Sequence, residues 1–381
     1  MSRHLILVGG GHAHLTCLKQ LRDFMARGHR VSLVSPAAYH YYSGMGPGML
    51  GGTYSPGEIR FNVKSMTESA GGEFVSGSVT HIDAPRRVLH LDSGSELPFD
   101  VVSLNTGSSV ALQSVTVKSQ ENVFAVKPII NLLQARRRLV ELARKATIRI
   151  LVVGGGPAGL EIAGNTWKLS QDQGASAEIT LVAGKELMAN FPAQVRGLAL
   201  KSLAARGIEV IEGAHLSTLE DGAAVLHDGR RLPYDVALLA LGVKPASLFT
   251  DSGLATGKDG GMLVNEYLHA IDYPYIFGGG DCISFQNRPL DKVGVYAVRQ
   301  NPILYHNLLG ALEGRPLRPF QPQSEYLLIF NLGDGKGIFW KKNWVLNGRL
   351  AFILKNYIDR KFMRKFQISG EAREHDASFE G

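Results

Sequence analysis

The chain has 381 residues, of which 45% are hydrophobic and 44 are glycine, and its formal net charge is +7. This length predicts two or three domains with packed cores. No apolar run approaches the roughly 18 residues of a membrane span, and a strand predicted from His4 leaves no room for a signal peptide. Cys17 and Cys282 lack the spacing of a disulfide framework or a metal site, so a reducing cytoplasm is expected.

The N-terminus carries a strand, a glycine-rich turn and a helix in direct succession. The strand is predicted over 4–8, the turn reads Gly-Gly-Gly-His-Ala-His over 9–14, and a second strand follows a helix that ends near Arg27. This pattern is typical of dinucleotide binding, although His14 stands at the third glycine position and Ser35 stands where an acid is usual. The alternative is an ordinary turn that binds nothing. The two histidines of the turn are assigned to local packing, because no third metal ligand is evident nearby.

A second copy of the pattern occupies residues 147–164, with the sequence TIRILVVGGGPAGLEIAG. Gly154 allows the turn, Gly156 lets the backbone approach a pyrophosphate, and Gly159 lets helix and strand pack closely. The next predicted strand, 177–182, is followed by Ala-Gly-Lys instead of an acid. Lys185 could meet the 2′-phosphate of NADPH or could simply be solvated. Two copies in one chain predict an α/β fold with two Rossmann-like modules.

An aromatic and glycine-rich loop is predicted after the second strand. It runs from Tyr39 to Met49 and contains Tyr42 and Pro47. Loops at this place border the ligand of such a domain, and flat rings with glycines suit a bound planar ring system. A surface loop with packed tyrosines is the alternative, and both interpretations stay open.

Three buried strands lead into polar or glycine-rich turns, over 101–107, 235–242 and 275–282. The third ends in Gly-Gly-Gly-Asp, and Asp281 at the carboxyl end of a strand can accept a hydrogen bond from a sugar-like hydroxyl. A basic helix is predicted over 128–145, and another helix over 293–313 with an interruption at Asn-Pro.

A distinct tail follows a proline-rich linker. It is predicted to hold a strand pair, 326–332 and 337–340, and a segment with helical periodicity, 349–366; residues 370–381 are predicted to be disordered. The apolar positions of the segment are Leu350, Ile353, Leu354, Tyr357 and Ile358, and the cations around it are Lys341, Lys342, Arg349, Lys355, Arg360, Lys361, Arg364 and Lys365. This pattern favours a membrane-surface helix. The alternative is a helix whose apolar stripe packs on the protein's own core.

Taken together, these motifs resemble the flavoprotein family with two dinucleotide-binding domains. That family includes pyridine nucleotide–disulphide oxidoreductases, type II NADH:quinone oxidoreductases and sulfide:quinone oxidoreductases. The segments GGGHAHL, YYSGMGPG, GVYAVRQ, NLGDGKG and IDRKFMRKF are similar to those of a bacterial branch of NADH-dehydrogenase-like proteins, sometimes encoded fused to selenophosphate synthase. The resemblance extends from about residue 4 to about residue 366.

The resemblance implies a domain order and a set of cofactor-contacting residues. It implies an FAD-binding domain over 1–112 and 258–318, an NAD(P)-binding domain over 113–257, and a C-terminal α+β domain over 319–381. The residues expected at the FAD site are Gly9, Gly11, His12, Ala13, Ser35, Tyr42, Pro47, Thr106, Gly107, Gly280, Asp281 and Ala297, and those at the nicotinamide nucleotide site are Gly154, Gly156, Gly159, Lys185 and Gly242.

The implied activity is hydride transfer from NADH or NADPH to FAD, followed by electron transfer to a quinone. Glu161 is the candidate for orienting the nicotinamide or relaying a proton, and Lys127 the candidate for reaching the flavin. Glu161 could instead only stabilise the N-terminus of its helix. The quinone-site segment of type II enzymes is half matched, since Ala297 and Gln300 fit but Val295 does not.

The two cysteines are too few and too distant in sequence for thiol–disulfide chemistry. The leading hypothesis is therefore an enzyme at the inner face of the cytoplasmic membrane, with a homodimer as one possible state. One alternative is a soluble FAD reductase for a protein or a selenium- or sulfur-linked acceptor. Another is a non-catalytic nucleotide sensor whose second site is empty.

Overall fold

The protein is described from a computed structural model, which covers residues 2–113, 115–143 and 147–373. Two parallel five-stranded sheets organise this part of the chain, and smaller sheets, including two antiparallel three-stranded ones, are attached to them. Helices alternate with the strands of both parallel sheets. The α/β fold with two Rossmann-like modules and a small α+β tail, predicted from the sequence, is thus confirmed.

The first sheet is built mainly from the N-terminal third of the chain. Its strands, in spatial order, are Ile276–Gly278, Val101–Leu104, His4–Val8, Arg30–Ser35 and Glu73–Ser76. All neighbours run parallel, so their carboxyl ends meet at one edge of the sheet. The glycine turn after His4–Val8 therefore lies beside the turns that follow the strands at 101–104 and 276–278.

The second sheet repeats this arrangement. Its spatial order is Val123–Ala125, Val236–Leu239, Thr147–Val153, Ser176–Gly184 and Glu209–Glu212, again all parallel. The central strands, TIRILVV and VALL, consist mostly of Val, Ile and Leu, as expected for a parallel sheet covered by helices on both faces.

The remaining strands form small sheets. Antiparallel three-stranded sheets comprise Val79–Asp83, Val88–Leu91 and Glu96–Pro98, and Leu328–Asn331, Gly337–Lys341 and Trp344–Gly348. A four-stranded sheet comprises Thr116–Val117, Leu216–Glu220, Ala223–Leu226 and Arg231–Pro233. Two-stranded pairs join Tyr39–Tyr41 with Arg60–Asn62, Ser109–Val110 with Val243–Lys244, and Met262–Val264 with Ile283–Phe285.

The α-helices of the described residues are Leu15–Lys19, Leu21–Ala26, Gly46–Leu50, Val63–Glu68, Ile130–Leu142, Pro157–Asp172, Ala193–Ala204, Leu248–Asp251, Gly294–Glu313 and Arg349–Phe366. Short 3₁₀ turns cover His12–His14, Ser43–Met45, Gly57–Ile59, Gly280–Cys282 and Glu371–Arg373. The helix predicted to reach residue 145 is described to Leu142, and its last predicted residues lie outside the described range.

The predicted loop over 39–49 is wrong. Tyr39–Tyr41 is a strand, and Gly46–Leu50 is a helix that is buried throughout. Its glycines permit close packing, because a Cβ on Gly46 would lie 3.2 Å from Leu132 of the helix Ile130–Leu142, and one on Gly48 would lie 2.5 Å from the ring of Tyr54. The glycine content of this stretch therefore reflects packing between helices rather than a flexible turn.

The predicted interruption of the helix near residue 301 is also wrong, since one helix spans Gly294–Glu313 with Pro302 inside it. Proline removes one backbone donor, but buried Leu304 and Leu308 hold the following turns against the core. In contrast, the single helix predicted up to Arg27 is divided at Gln20 into two short helices.

The tail contains a third strand, Trp344–Gly348, that the sequence analysis missed, followed by the helix Arg349–Phe366 at its predicted bounds. Disorder predicted from residue 370 is wrong at its start: Glu371 is buried and accepts a hydrogen bond from the backbone N–H of Asn62 at 2.7 Å. Residues 374–381 lie outside the described range. No helix within that range is long and apolar enough to cross a membrane.

Candidate functional site

The first glycine turn is packed against the loop after the neighbouring strand. Gly9 adopts a φ of +85°, and a Cβ on Gly9 would overlap the backbone oxygen of Asn105. A Cβ on Gly11 would overlap Oδ1 of the same residue. Asn105 Oδ1 accepts from the backbone N–H of Ala13 at 3.3 Å, and its Nδ2 donates to the backbone oxygen of Gly279. Asn105 thus joins all three turns at this edge, and the sequence analysis did not single it out.

His14 occupies the third glycine position without opening a gap. Its Nδ1 lies 2.7 Å from the backbone oxygen of Gly9, and its Nε2 lies 2.8 Å from Oγ of Ser103 on the adjacent strand. Burial lowers the pKa of His14 to about 4, so the ring is neutral near pH 7. The imidazole therefore cross-links the turn to the sheet where a glycine would only allow close approach.

His12 lies in the same turn and keeps one ring nitrogen free. Its Nδ1 lies 3.2 Å from Nε2 of His40, whereas its buried Nε2 has no hydrogen-bond partner among the described residues. Burial, with a smaller contribution from the Lys127 cation, lowers the pKa of His12 to about 4. Phe362 of the C-terminal helix stacks on His12 with ring centroids 6.1 Å apart. The turn is therefore covered from the tail side.

Asp281 and Lys127, both predicted site residues, are brought together at this edge. Lys127 Nζ donates to Asp281 Oδ2 at 2.6 Å, and Ser108 Oγ donates to the same oxygen at 2.8 Å. Gly107 has a φ of +71° with open space on its Cβ side, and Thr106 is exposed. The carboxylate is thereby fixed beside an accessible part of this sheet edge.

The other residues predicted for this site are more scattered. Ser35 ends its strand, and its hydroxyl donates to the backbone oxygen of Ala37 at 2.9 Å. Pro47 lies in the buried helix Gly46–Leu50. Ala297 packs against Gly280, where a Cβ would lie 3.4 Å away. Gln300 accepts from the N–H of Gly280 at 2.7 Å, so this glutamine supports the turn instead of lining the large cavity described below.

The second glycine turn is open on one side. A Cβ on Gly154 would overlap the backbone oxygen of Ala240, and one on Gly159 would overlap that of Gly154, whereas Gly156 faces open space. A crevice of about 400 Å³ adjoins the turn. It is lined by residues 153–158, 182–185, 214–216 and 240–243, which include the predicted residues Lys185 and Gly242.

A cavity of about 1240 Å³ lies between the second module, the helix Gly294–Glu313 and the tail. Most of its wall is apolar, with Phe191, Val298, Phe320, Leu328 and Ile358 among the contributors. Its ionisable wall residues include Glu161, Lys355, Asp359 and Tyr42. The cavity therefore combines room for a large apolar molecule with a concentrated set of titratable groups.

Glu161 projects from the helix Pro157–Asp172 into this cavity. Its Oε1 accepts a hydrogen bond from the backbone N–H of Asn331 at 2.7 Å. Burial raises the pKa of Glu161 to about 7, although the Lys355 cation and the Asn331 hydrogen bond act in the opposite direction. A carboxyl with this pKa exchanges its proton near neutral pH.

Lys355 and Asp359 form a buried ion pair on the inner face of the C-terminal helix. Lys355 Nζ lies 2.8 Å from Asp359 Oδ2 and donates at 2.8 Å to the backbone oxygen of Gly44. Burial alone would lower the pKa of Lys355, but the carboxylates of Asp359 and Glu161 outweigh it and raise the pKa above its usual value. Tyr42 donates its hydroxyl to Asp359 Oδ1 at 3.0 Å.

The apolar stripe predicted for the C-terminal helix faces outward. Leu350 is 83% exposed, Ile353 59% and Tyr357 57%, whereas Lys355 is 8% and Asp359 4% exposed. Lys355 was predicted to lie with the other cations around the stripe, but it is buried on the inner face of the helix. The alternative in which the stripe packs on the protein's own core is also wrong. Ile358 belongs both to the outward stripe and to the cavity wall, so the stripe borders the cavity.

Both cysteines are free and buried. Burial raises the pKa of each thiol, which keeps Cys17 and Cys282 protonated near neutral pH. Cys282 Sγ lies within hydrogen-bonding distance of the backbone oxygens of Leu104 and Gly279. The thiols therefore occupy packing positions. This placement agrees with the expectation from the sequence that the protein does not use thiol–disulfide chemistry.

Comparisons with known proteins agree with this geometry. The chain is 27% identical over 367 residues to the oxidoreductase ptaL of Pestalotiopsis fici, covering 92% of this chain and 94% of that protein. It is 23% identical over 402 residues to the type II NADH:quinone oxidoreductase of Staphylococcus saprophyticus, covering 97% and 96%. The structure of NDH2 from Plasmodium falciparum in complex with NADH superimposes with a TM-score of 0.82 at 14% identity, covering 100% of this chain and 97% of that one.

Residues 3–306 match the family described as pyridine nucleotide-disulphide oxidoreductase. The matched region includes both glycine turns and Asp281. FAD is thus the cofactor and NAD(P)H the co-substrate, and the chain is an FAD-dependent pyridine nucleotide oxidoreductase. The two glycine turns and the family match over residues 3–306 lead to one assignment. The chain belongs to the pyridine nucleotide-disulphide oxidoreductase family.

Proposed function

We propose that this oxidoreductase transfers electrons from NAD(P)H to a quinone drawn from a membrane surface. The observation that carries the proposal is the orientation of the C-terminal helix. Its exposed apolar stripe borders a large apolar cavity, while its inner face places a Lys–Asp ion pair in the same cavity. A hydrophobic acceptor that needs protons requires both features.

The first glycine turn is the proposed FAD site. Glycines at positions 9 and 11 leave no room for side chains, and the buried Nε2 of His12 lacks a partner in the described protein. We propose that the diphosphate lies against the turn at Gly9, Gly11 and Ala13, with His12 directing its free nitrogen to the cofactor. Asp281, fixed by Lys127 and Ser108, would accept a hydrogen bond from a ribityl hydroxyl. Ser35, Tyr42, Pro47, Thr106, Gly107, Gly280 and Ala297 complete the proposed set.

We assign the nicotinamide nucleotide to the second crevice. The open face of Gly156 and the N-terminus of the helix Pro157–Asp172 lie beside that crevice and suit a pyrophosphate. Bound FAD would supply the hydride acceptor and the two-electron carrier between the nicotinamide and the acceptor. The protein must hold both partners, exclude water and deliver a proton.

In this proposal, residues of the large cavity deliver the proton. Reduction of a quinone by NAD(P)H takes up one proton from solution in addition to the hydride, and yields NAD(P)⁺ and quinol. Glu161 is the proposed proton donor, because its pKa of about 7 matches the working pH of a general acid. Lys355 stays cationic and is a positioning residue that attracts the quinone oxygen, held in place by Asp359 and the backbone oxygen of Gly44.

The membrane is the proposed source of the acceptor. The outward stripe of Leu350, Ile353, Leu354, Tyr357 and Ile358 is continued by exposed Trp344 and Leu346 of the adjoining strand. Exposed cations flank it, including Lys341, Arg349, Lys361 and Arg364. Such a surface binds at the level of anionic lipid headgroups. An inner-leaflet position would place the bordering cavity next to dissolved quinone.

Anaerobic stopped-flow spectroscopy tests the acceptor step separately from hydride transfer. The FAD-loaded protein is first reduced with NAD(P)H and then mixed with a short-chain quinone. We expect Glu161→Gln and Lys355→Met to slow reoxidation by ~100-fold, the scale of general-acid catalysis, while flavin reduction changes by less than about threefold. Lys361→Met, on the exposed face of the same helix, is the control.

The pH profile identifies the role of Glu161. Because the protonated carboxyl is the donor, the reoxidation rate of the wild type should fall as pH rises through about 7. Glu161→Gln should lose this dependence. Unchanged reoxidation in both variants, or no reoxidation of the wild type by any quinone, would reject the proposal and favour a protein acceptor.

Vesicle flotation tests the surface. We expect the wild type to float with vesicles containing anionic phospholipid and the double variant Leu350→Gln/Tyr357→Gln to remain at the bottom of the gradient. Ile271→Gln replaces an exposed hydrophobic residue far along the chain from the tail and serves as the control. Equal flotation of all three proteins, or flotation of none, would contradict membrane docking through this helix.

A further inference from the structure

The second crevice has an electrostatic character that bears on which nucleotide it takes. Among its described lining residues, the ionisable side chains are Lys185 and His215, and no carboxylate takes part. The strand Ser176–Gly184 leads directly to Lys185, at the place where an acid would contact the ribose hydroxyls of NADH. A 2′-hydroxyl thus has no carboxylate to bind, whereas an anion would meet cationic and hydrogen-bonding groups.

The backbone holds these two side chains at one site. Ala214 N–H donates to the oxygen of Gly184 at 3.2 Å, and Gly213 N–H donates to the oxygen of Lys185 at 3.1 Å. A Cβ on Gly184 would lie 3.2 Å from Cε1 of His215, so the imidazole packs directly over this glycine. The pairing brings the His215 segment beside the residue that precedes Lys185.

The nearest acids in sequence are engaged elsewhere. Glu212 accepts from Leu187 N–H at 2.7 Å and pairs with Arg196 at 2.7 Å. Glu186 lies 3.8 Å from the same guanidinium. Neither lines the crevice. An anion at Lys185 therefore meets no carboxylate in the crevice wall.

We propose that this crevice selects the nucleotide with a 2′-phosphate, so that NADPH is the preferred hydride donor. Lys185 supplies the cation for the phosphate, and His215 supplies a second contact across Gly184. This inference rests on the proposed function for the hydride donor, and it adds the chemical identity of the adenosine ribose. It concerns the adenosine half of the nucleotide and is independent of the acceptor.

Binding of two adenosine fragments isolates the 2′-phosphate. Isothermal titration of the FAD-loaded protein compares adenosine 2′,5′-bisphosphate with adenosine 5′-monophosphate. We expect the bisphosphate to bind at least about tenfold more tightly, as one charge-assisted contact provides. Lys185→Ala should reduce this ratio to below about threefold, and His215→Ala should reduce it partly. Lys201→Ala, an exposed lysine on the helix Ala193–Ala204, should leave the ratio unchanged.

Flavin reduction separates failure of this inference from failure of the proposed function. With NADPH and NADH compared anaerobically, the wild type should show a KM advantage for NADPH that Lys185→Ala removes, with similar limiting rates. Equal fragment affinities in the wild type would overturn the inference, and quinone reduction with NADH would then leave the proposed function intact. A bisphosphate preference that survives Lys185→Ala would overturn the assignment to this lysine.

Discussion

The two glycine turns share a sequence pattern but differ in their surroundings. At the first, Asn105 closes against Gly11, His14 bonds to the turn and the sheet, and Phe362 covers His12. At the second, Gly156 faces open space beside an accessible crevice. The difference indicates two kinds of ligand. We propose that the covered turn retains FAD through many turnovers and that the open turn lets NAD(P)H enter and leave.

We expect the largest loss of stability and of flavin from a substitution that adds a side chain to the first turn. In Gly11→Ala the new methyl would overlap Oδ1 of Asn105, which is held by Ala13 N–H and Gly279 O and cannot move freely. We expect roughly 3 kcal/mol or more of lost stability and a protein without bound flavin. The ratio of flavin to protein absorbance measures the loss. Gly11→Ala that retains one FAD per chain would show that the turn is not the cofactor cradle.

We expect low pH to destabilise the protein through the first turn and not through the second. His14 has a folded-state pKa of about 4 against an ordinary value of 6.5, so the unfolded chain binds more protons between these values. Stability is complete above pH 6.5, falls as pH decreases towards 4, and the loss through this residue reaches roughly 3 kcal/mol. Chemical denaturation at several pH values measures it.

His14→Gly, which copies the second turn, provides the control for the acid effect. It should be less stable at pH 8, because the bonds to Gly9 and Ser103 are lost, but its stability should depend less on pH between 6.5 and 4. A variant with the full pH dependence of the wild type would show that another group, such as His12, accounts for the acid sensitivity.

Removing the cover should weaken cofactor retention without affecting the nucleotide. Phe362→Ala deletes the ring that contacts both His12 and Tyr42. We expect the dissociation constant for FAD to rise by about tenfold, corresponding to ~1.4 kcal/mol of lost contact. Fluorescence of released flavin provides the measurement, and Tyr357→Ala on the exposed face is the control. Equal effects of the two variants would mean that the cover is not specific to the first turn.

The smallest effect on folding and flavin content is expected at the open turn. Gly156→Ala places a methyl where no protein atom lies within 4 Å, so folding and flavin content should be unchanged. The methyl occupies the space proposed for the pyrophosphate, and the KM for NAD(P)H should increase by roughly tenfold. Anaerobic flavin reduction checks this. Loss of flavin in Gly156→Ala would remove the distinction between the turns.

The sequence was sufficient for the parallel modules because their signals are local. Continuous aliphatic runs predict buried parallel strands, and the glycine turns after them mark the crevices. The departure from the glycine pattern at His14 could be explained only from the structure, because its hydrogen-bond partner Ser103 lies 89 positions away in the sequence. A histidine can replace the third glycine where a neighbouring strand offers a hydroxyl.

The acceptor cavity was not predictable in the same way. Periodicity identified the C-terminal helix at its true bounds but offered its apolar stripe as the only face that could pack on the core, whereas the buried face carries Lys355 and Asp359. Their burial depends on Gly44 and Tyr42, which lie more than 300 residues earlier. Asn105 was missed for a similar reason, because its role arises from contacts with two other turns.

The most direct test of the difference between the two turns is a gel filtration of the purified protein after incubation with NADP⁺ or NAD⁺. We expect about one FAD to co-elute with each chain while the nicotinamide nucleotide separates from it. A colourless protein without extractable flavin would contradict the assignment of the covered turn. Co-elution of both dinucleotides in equal amounts would contradict the distinction between a retained cofactor and an exchanging co-substrate.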